Sequence, residues 1–410
     1  MNNYFVLDGL SLFFTLILAV VAFCVVIYQG KQSWKYNLIF VLFVLSMLGA
    51  ILSNHLGLTW VFVEATTLTS AYLILRHNDK NSLEATWKYV FLCSIGISLA
   101  FVGIILLLIA SEGVNSLFFN DLYANATIIN PFWLKLSFIF TLIGFGTKVG
   151  LAPVHSWLPD AHAEAPSPIS AMLSATLLNS AFLVIIRLYK LMQLAGVGES
   201  AQKLLLCMGF LSLFVTAVYL FRIANYKRML AYSSIENMGI IAIGVALGGV
   251  GTFAAAIHLA AHSLIKSAFF LTSGNVLKLY STKEVAEVHG IIQRDKLTGW
   301  LWIICAALVV AIPPSPLFIS EFLMILEMFY AKHYFLIILF VVLLTVVMYG
   351  ILRAVIKTAL GDDVLQEQKV KKLAFNKYMP QIILISIVLL IGLYCPHWLG
   401  KLFTEAASWM

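Results

Sequence analysis

Four ionisable side chains stand well inside apolar stretches: Glu64 in WVFVEATTLTSAYLI, Lys148 in FTLIGFGTKVG, Lys266 in HLAAHSLIK and Glu321 in PPSPLFISEFLMIL. If those stretches cross a membrane, each charge costs roughly 3 kcal/mol at the bilayer centre, and such groups mark ion pathways and proton relays. Burial disfavours the charged form of carboxyl and amine alike, whereas a Glu–Lys pair brought close keeps both charged. Such a pair is a proton switch as well as a structural tie. The plainer alternatives are a Lys148 that snorkels to the headgroups and a neutral Glu64 bonded to the hydroxyl of Thr66, Thr67 or Thr69.

His258, His262 and Lys266 are spaced i, i+4, i+8, which puts all three on one helix face. An i, i+4 histidine pair can bind a metal. No third His, Cys or carboxylate lies nearby in the sequence, so no metal is expected. Two histidines beside a desolvated lysine suit a proton relay instead. Glu321 either caps a half-helix or serves as a terminal proton donor or acceptor facing an aqueous cavity. Glu236 in AYSSIENMG is an accessory candidate, as a tie to a nearby Arg or Lys or as a relay member. Lys227, with Arg228, reads first as a charge anchoring the start of a span. Asp160, His162 and Glu164 in WLPDAHAEAPSP read as a polar loop, either a channel mouth or plain solvated chain.

Only membrane helices can position these groups. The chain is 61% hydrophobic and 11% charged, with mean hydropathy +0.96, where a soluble protein carries about 25% charged residues. A helix spans in about 20 residues, and the alternation of an outer-membrane barrel is absent. The expected fold class is therefore an all-α polytopic membrane protein with about 12 transmembrane helices. They are Leu10–Tyr28, Tyr36–Leu52, Leu56–Leu75, Tyr89–Ala110, Phe132–Leu151, Ile169–Met192, Leu204–Phe221, Leu230–Leu247, Thr252–Leu277, Trp300–Met328, Tyr334–Ile351 and Pro380–Tyr394 onward. The fifth is expected to break from Gly144 through Gly146, Gly150 and Pro153, around Lys148. The tenth is expected to break at Pro313–Pro316, and the ninth is long enough to be interrupted too. Broken membrane helices are tolerated where freed backbone groups face protein or water.

Basic residues indicate orientation. Eighteen of the 26 fall in loops after odd-numbered spans, including Arg76, Lys227, Arg228, Lys369, Lys371 and Lys372; six, including Arg187 and Lys190, fall on the other side. By the positive-inside rule both termini face away from the cytoplasm, in a multi-pass protein of the cell inner (plasma) membrane. The net charge of +7 is then a topology signal, and with no basic cluster interleaved with aromatics, nucleic-acid binding is excluded. The stretch Thr358 to Lys377 is expected to be a surface or helical connector. No basic n-region or small-residue cleavage site precedes the first span, so no cleavable signal is expected. Cys24, Cys93, Cys207, Cys305 and Cys395 are scattered singly without a CxxC, which argues against zinc or an iron–sulfur cluster.

A repeat is visible. Glu64 and Glu236 stand in the third and eighth spans, and the two breaks fall in the fifth and tenth. An odd number of spans per copy inverts the second, and paired broken helices in inverted repeats point to a midplane ion site. The expected organisation is one transmembrane domain, 1–410, with repeat one about 36–192, repeat two about 204–351 and a C-terminal helix about 380–400.

The stretches LDGLSLFF, GFGTKVGLAPVHSWLPDAHAEAPSPISAMLSA, NYKRMLAYSSIENMG, HLAAHSLIKSAFFLTSGN and PPSPLFISEF resemble the antiporter-like, proton-translocating membrane subunits of respiratory complex I, Mrp antiporters and membrane-bound hydrogenases. The wording APSPISAMLSATLLN with SSIENMG most resembles the hydrogenase-4 component F branch. The resemblance implies two inverted five-helix repeats, with Glu64 as the pairing glutamate and Lys148 as the broken-helix lysine. It implies that Lys266 is the central lysine of the second repeat, with His258 and His262 alongside, and that Glu321 is the acidic residue of the second broken helix. Three departures stand out. Many members carry two further helices before LDGLSL; many carry His where Ser174 stands; and many have Asp where Asn225 precedes Lys227 and Arg228.

The function that follows is a proton-translocating subunit of a hydrogenase- or NADH-dehydrogenase-like respiratory complex. It would be driven by redox chemistry in partner subunits and hold no cofactor and no catalytic residue itself. Its partners would be the lipid bilayer and other membrane subunits, including antiporter-like and quinone- or hydrogenase-module subunits. The alternatives are a subunit of a cation/proton antiporter or ion-driven uptake complex, and a structural membrane anchor. The energetic cost of several buried charges weighs against the anchor.

Overall fold

The long apolar runs form helices, because a lipid environment leaves backbone groups no other partner, and a polar residue ahead of several of them closes the first turn. The computed structural model describes residues 3–75, 80–362 and 373–410. Asp8 accepts from Ser11 N at the start of α1 (Gly9–Gln29), and Ser33 caps α2 (Trp34–Leu52). The ring of His55 caps α3 (Leu56–Ile74), and α4 (Lys80–Ala110) follows. Asn130 caps α5 (Pro131–Val149), whose proline sits in the first turn where it lacks no bond.

A short helix, α6 (Trp157–Glu164), leads to α7 (Ser167–Leu194), which contains a π-turn at Leu173–Leu177. Then come α8 (Gly198–Leu220), α9 (Tyr226–Leu247) and α10 (Val250–Tyr280). Ser315 and Pro316 open α12 (Pro316–Tyr330), which continues α11 (Lys296–Val309) after a break. The chain ends in α13 (Tyr334–Ala359), α14 (Met379–Leu393) and α15 (His397–Ala407), the last two bent by 85°. Among the described residues, nine helices are long and apolar enough to span a membrane, or ten if the bent pair is one span.

The centre of the bundle is α7, α9 and α10, which are almost wholly buried. These three carry Ser174, Glu236, Lys266 and both helix-face histidines. Around them α4 packs along α5 and α8 along α9 at backbone distance. A Cβ on Gly144 would meet Ala100 N at 2.5 Å, and one on Gly239 would meet Gly209 O at 2.8 Å. Small residues permit that approach in membrane helices.

Several expectations need correction. The fifth span does not break at Gly144: α5 runs through Gly144 and Gly146 to Val149, and the break follows at the left-handed Gly150. The glycines serve packing, and Lys148 lies in the last helical turn. The ninth span is one uninterrupted 31-residue helix. Arg187 is no loop charge: it is 2% exposed within α7, on Ser53 O, Asp8 Oδ2 (3.1 Å) and Ser11 Oγ (2.9 Å). Lys190 likewise lies in α7, with its ammonium 3.8 Å from the centre of the Trp409 ring. Arg76, Lys369, Lys371, Lys372 and most of the connector between Thr358 and Lys377 lie outside the described residues.

Candidate functional site

In the first half, α3, α4 and α5 bring their polar faces together. Lys148 is 1% exposed, and its Nζ donates to Thr67 Oγ1 and to Tyr89 Oη, each at 2.8 Å. The Tyr89 hydroxyl lies 2.6 Å from Ser70 Oγ. Thr67 donates to Glu64 Oε2 at 3.2 Å, and Ser94 donates to Glu64 Oε1 at 3.1 Å. Glu64 and Lys148 therefore share an intermediary without touching. The snorkelling alternative fails, because the ammonium points into the bundle. Thr66 and Thr69 turn to backbone carbonyls, so of these three threonines it is Thr67 that serves Glu64, beside Ser94. Glu64 is half-buried, and its side of α3 faces outward from this chain.

In the second half, Lys266 is fully buried and donates to the Leu230 carbonyl of α9. Its ammonium lies 5.5 Å from the centre of the Phe270 ring. Glu236 stands one helix away, and among the described residues its Oε2 has no hydrogen-bond partner. The expected histidine face exists, but its members differ. His258 is held on both nitrogens, Nδ1 by Ser320 Oγ at 2.8 Å and Nε2 by Asn237 Oδ1 at 3.0 Å. Both nitrogens of His262 are buried without a side-chain partner among the described residues. Glu321 is half-buried in the second turn of α12 and does not cap it; Ser315 does. Glu321 and Glu236 line one cavity of about 240 Å³.

The halves meet at α7. Ser174 sits in the π-turn, its Oγ 2.8 Å from Ser234 Oγ. Ser234 also donates to Leu230 O at 3.1 Å, the same carbonyl that receives Lys266. Ser174 thus leads by hydroxyls to the carbonyl that receives Lys266. Asn225 accepts from Lys227 N and Arg228 N, so it serves as the N-cap of α9.

The accessory group also changes character. Asp160, His162 and Glu164 are not a solvated loop: they lie in α6, and His162 is fully buried against the Phe270 ring, with centres 5.0 Å apart. Lys227 is not a surface anchor either. It is 1% exposed and donates to Ala165 O at 2.5 Å and Ala163 O at 3.4 Å, at the end of α6. Asp160 joins Arg228 of α9 at 2.6 Å and Lys88 of α4 at 3.4 Å, spanning both halves. Sequence reasoning missed Tyr89, Ser320, Asn237 and Arg187. The first three are uncharged and carried no signal. The fourth carried one, a cation inside the predicted span Ile169–Met192, five residues before its end.

Residues 53–347 match the family described as "NADH:quinone oxidoreductase/Mrp antiporter, TM". The chain is 32% identical over 415 residues to a hydrogenase-4 component F homolog of Methylacidiphilum infernorum, covering 96% of this chain and 86% of that protein. It is 29% identical over 336 residues to hydrogenase-4 component B of Escherichia coli, a match covering 77% of this chain but 49% of the longer relative. A chain of the membrane-bound sulfane sulfur reductase, an archaeal respiratory membrane complex, superposes with a TM-score of 0.89 at 26% identity, covering 98% of this chain and 82% of that one.

Proposed function

The chain belongs to the NADH:quinone oxidoreductase/Mrp antiporter transmembrane family, and on that premise we propose that it moves protons across the membrane within a hydrogenase- or NADH-dehydrogenase-like respiratory complex. It is an antiporter-like membrane subunit, and other membrane subunits are its partners. Redox chemistry in those partners supplies the driving force.

One observation carries the reading: Lys148, 1% exposed, rests on two neutral hydroxyls, and its carboxylate is one hydroxyl away. A buried lysine without a counter-ion loses its proton readily; one in contact with a carboxylate keeps it. Moving Glu64 past Thr67 to Lys148 loads the lysine, and withdrawing it releases the proton. The path continues through Lys266, His262 and His258 to Glu321. Glu236 serves as the second counter-charge, and Lys227, Asp160 and His162 stand at the entrance. Histidines and partnered carboxylates suit such transfers because their proton affinity follows their neighbours.

The reading includes about twelve spans in the inner membrane with both termini outside the cytoplasm. It includes inverted five-helix repeats at about 36–192 and 204–351 within one domain, 1–410, and a C-terminal helix at about 380–400. Glu64 and Glu236, and the two broken helices, support that pairing.

The test is substrate-driven proton uptake in membrane vesicles holding the whole complex, with wild type set against Lys148→Ala and Lys266→Ala. Loss of uptake with the complex still assembled is the expected result. Normal uptake in both variants would leave the chain a spacer.

A further inference from the structure

Where α6 meets the start of α9, Glu164, Asn225, Arg228 and Glu284 line a cavity of about 390 Å³. Lys283 donates to Glu164 Oε2 at 2.7 Å, and the buried Lys227 donates to the carbonyls on either side of Glu164, those of Ala163 and Ala165. Two residues back along α6 stands His162, fully buried. Among the described residues neither of its ring nitrogens has a hydrogen-bond partner.

The imidazole lies instead on Phe270 of α10, the two rings 15° from parallel with their centres 5.0 Å apart. The Lys266 ammonium lies 5.5 Å from the centre of the same Phe270 ring and donates to the Leu230 carbonyl. One fully buried ring thus adjoins both the entrance histidine and the central lysine. A proton passes between two groups only within hydrogen-bond reach or through a water that joins them. The phenyl ring has no group to donate or accept, and apolar constrictions of this kind gate by shedding water. Packing accounts for a buried ring, but it does not account for an imidazole held against it with both nitrogens unbonded, which is destabilising.

We propose that Phe270 is an aromatic gate between His162 and Lys266. With the ring in place no proton passes; when it is displaced, water joins the two groups. The proton then leaves a nitrogen of the His162 imidazolium and arrives on the neutral amine of Lys266. The gate belongs to the proton path proposed above and depends on it. It keeps protons from leaking along that path between turnovers, as water exclusion does in active sites.

The experiment uses vesicles holding the whole complex, with a pH gradient imposed and no substrate, and follows the decay of the gradient. Phe269→Ala is the control: it removes a fully buried ring of the same size that packs on Trp302, with centres 4.7 Å apart. Wild type and Phe269→Ala should hold the gradient. Phe270→Ala should dissipate it several-fold faster, and Phe270→Leu, which keeps part of the apolar volume, should fall between. If the alanine variant does not assemble, the leucine variant carries the test. Adding His162→Phe to Phe270→Leu should abolish the leak, because the leak runs through the imidazole. Wild-type tightness in assembled Phe270→Ala or Phe270→Leu complexes overturns the gate. So does an equal leak in Phe269→Ala, or a leak that survives His162→Phe. Substrate-driven uptake in the same vesicles separates the two readings: tight Phe270 variants beside a Lys266→Ala complex that no longer pumps sink the gate and leave the proton path standing.

Discussion

Glu64 and Lys148 are joined through one atom, Thr67 Oγ1, which accepts from the ammonium at 2.8 Å and donates to the Glu64 carboxylate at 3.2 Å. The spacing makes Thr67 the point at which counter-charge and lysine can be connected or parted. We predict that Thr67→Val, which keeps the shape and removes the hydroxyl, lowers proton uptake per substrate turnover about tenfold. A hydrogen bond to a charged group is worth roughly 1.5–3 kcal/mol. Thr67→Ser should restore uptake. Wild-type coupling in the valine variant would remove Thr67 from the path.

Tyr89 is the second support of Lys148 and the link to Ser70. Tyr89→Phe keeps the ring, 4.8 Å from the ammonium, and deletes the acceptor. The expected loss is smaller than for Thr67→Val, because Thr67 and its bond to Glu64 remain. Combining the two leaves Nζ with neither, so the double variant should lose more than the two separate effects predict. Simple additivity, measured in the same vesicles, would show that the two supports act independently.

Glu236 and Glu321 line one cavity. If one hands a proton to the other, Glu236→Gln and Glu321→Gln each interrupt the same step. Each alone should then reduce uptake as far as both together. Effects that multiply would place the two carboxylates on separate routes.

Arg187 and Asp8 bind α7 to the start of α1, with side chains 2% and 15% exposed. Breaking a buried ion pair on one side costs roughly 3–5 kcal/mol, and the partial exposure of Asp8 sets the expectation near the lower figure. Asp8→Asn should lower the unfolding temperature of the detergent-solubilised complex. Asp8→Leu with Arg187→Met should recover part of it, since the double change leaves no unpaired charge. An unchanged melting curve for Asp8→Asn would make the pair inert.

Two glycines of α5 give a contrast. A Cβ at Gly144 meets Ala100 N at 2.5 Å, whereas one at Gly146 meets only the flexible Met208 Cε at 3.3 Å. Gly144→Ala should destabilise by about 1–3 kcal/mol, as overpacking does, and should displace Lys148 one turn further on. Gly146→Ala should be tolerated. Thermal unfolding of both variants decides, and equal tolerance would contradict the close α4–α5 packing.

Much of this was legible from the chain. The span expected from Phe132 starts within one residue of α5, and the break expected at Pro313–Pro316 falls between α11 and the start of α12. The charges Glu64, Lys148, Lys266 and Glu321 stood out because each interrupts an apolar run. The break near Lys148 was misplaced because Gly144 and Gly146 look the same in a sequence whether they end a helix or admit a neighbour. Arg187 passed for a loop cation because its partner, Asp8, lies 179 residues away.

The sequence by itself determined that this chain lives in a membrane and that ionisable groups stand within its helices. Both are matters of transfer free energy, which is set residue by residue along the chain. Only the tertiary structure decided which groups meet. Lys148 reaches Thr67 and Tyr89 across 81 and 59 residues, and His258 reaches Ser320 across 62. A hydrogen bond depends on fractions of an ångström and on angle. Those are fixed by how helices pack against one another, which local composition does not encode.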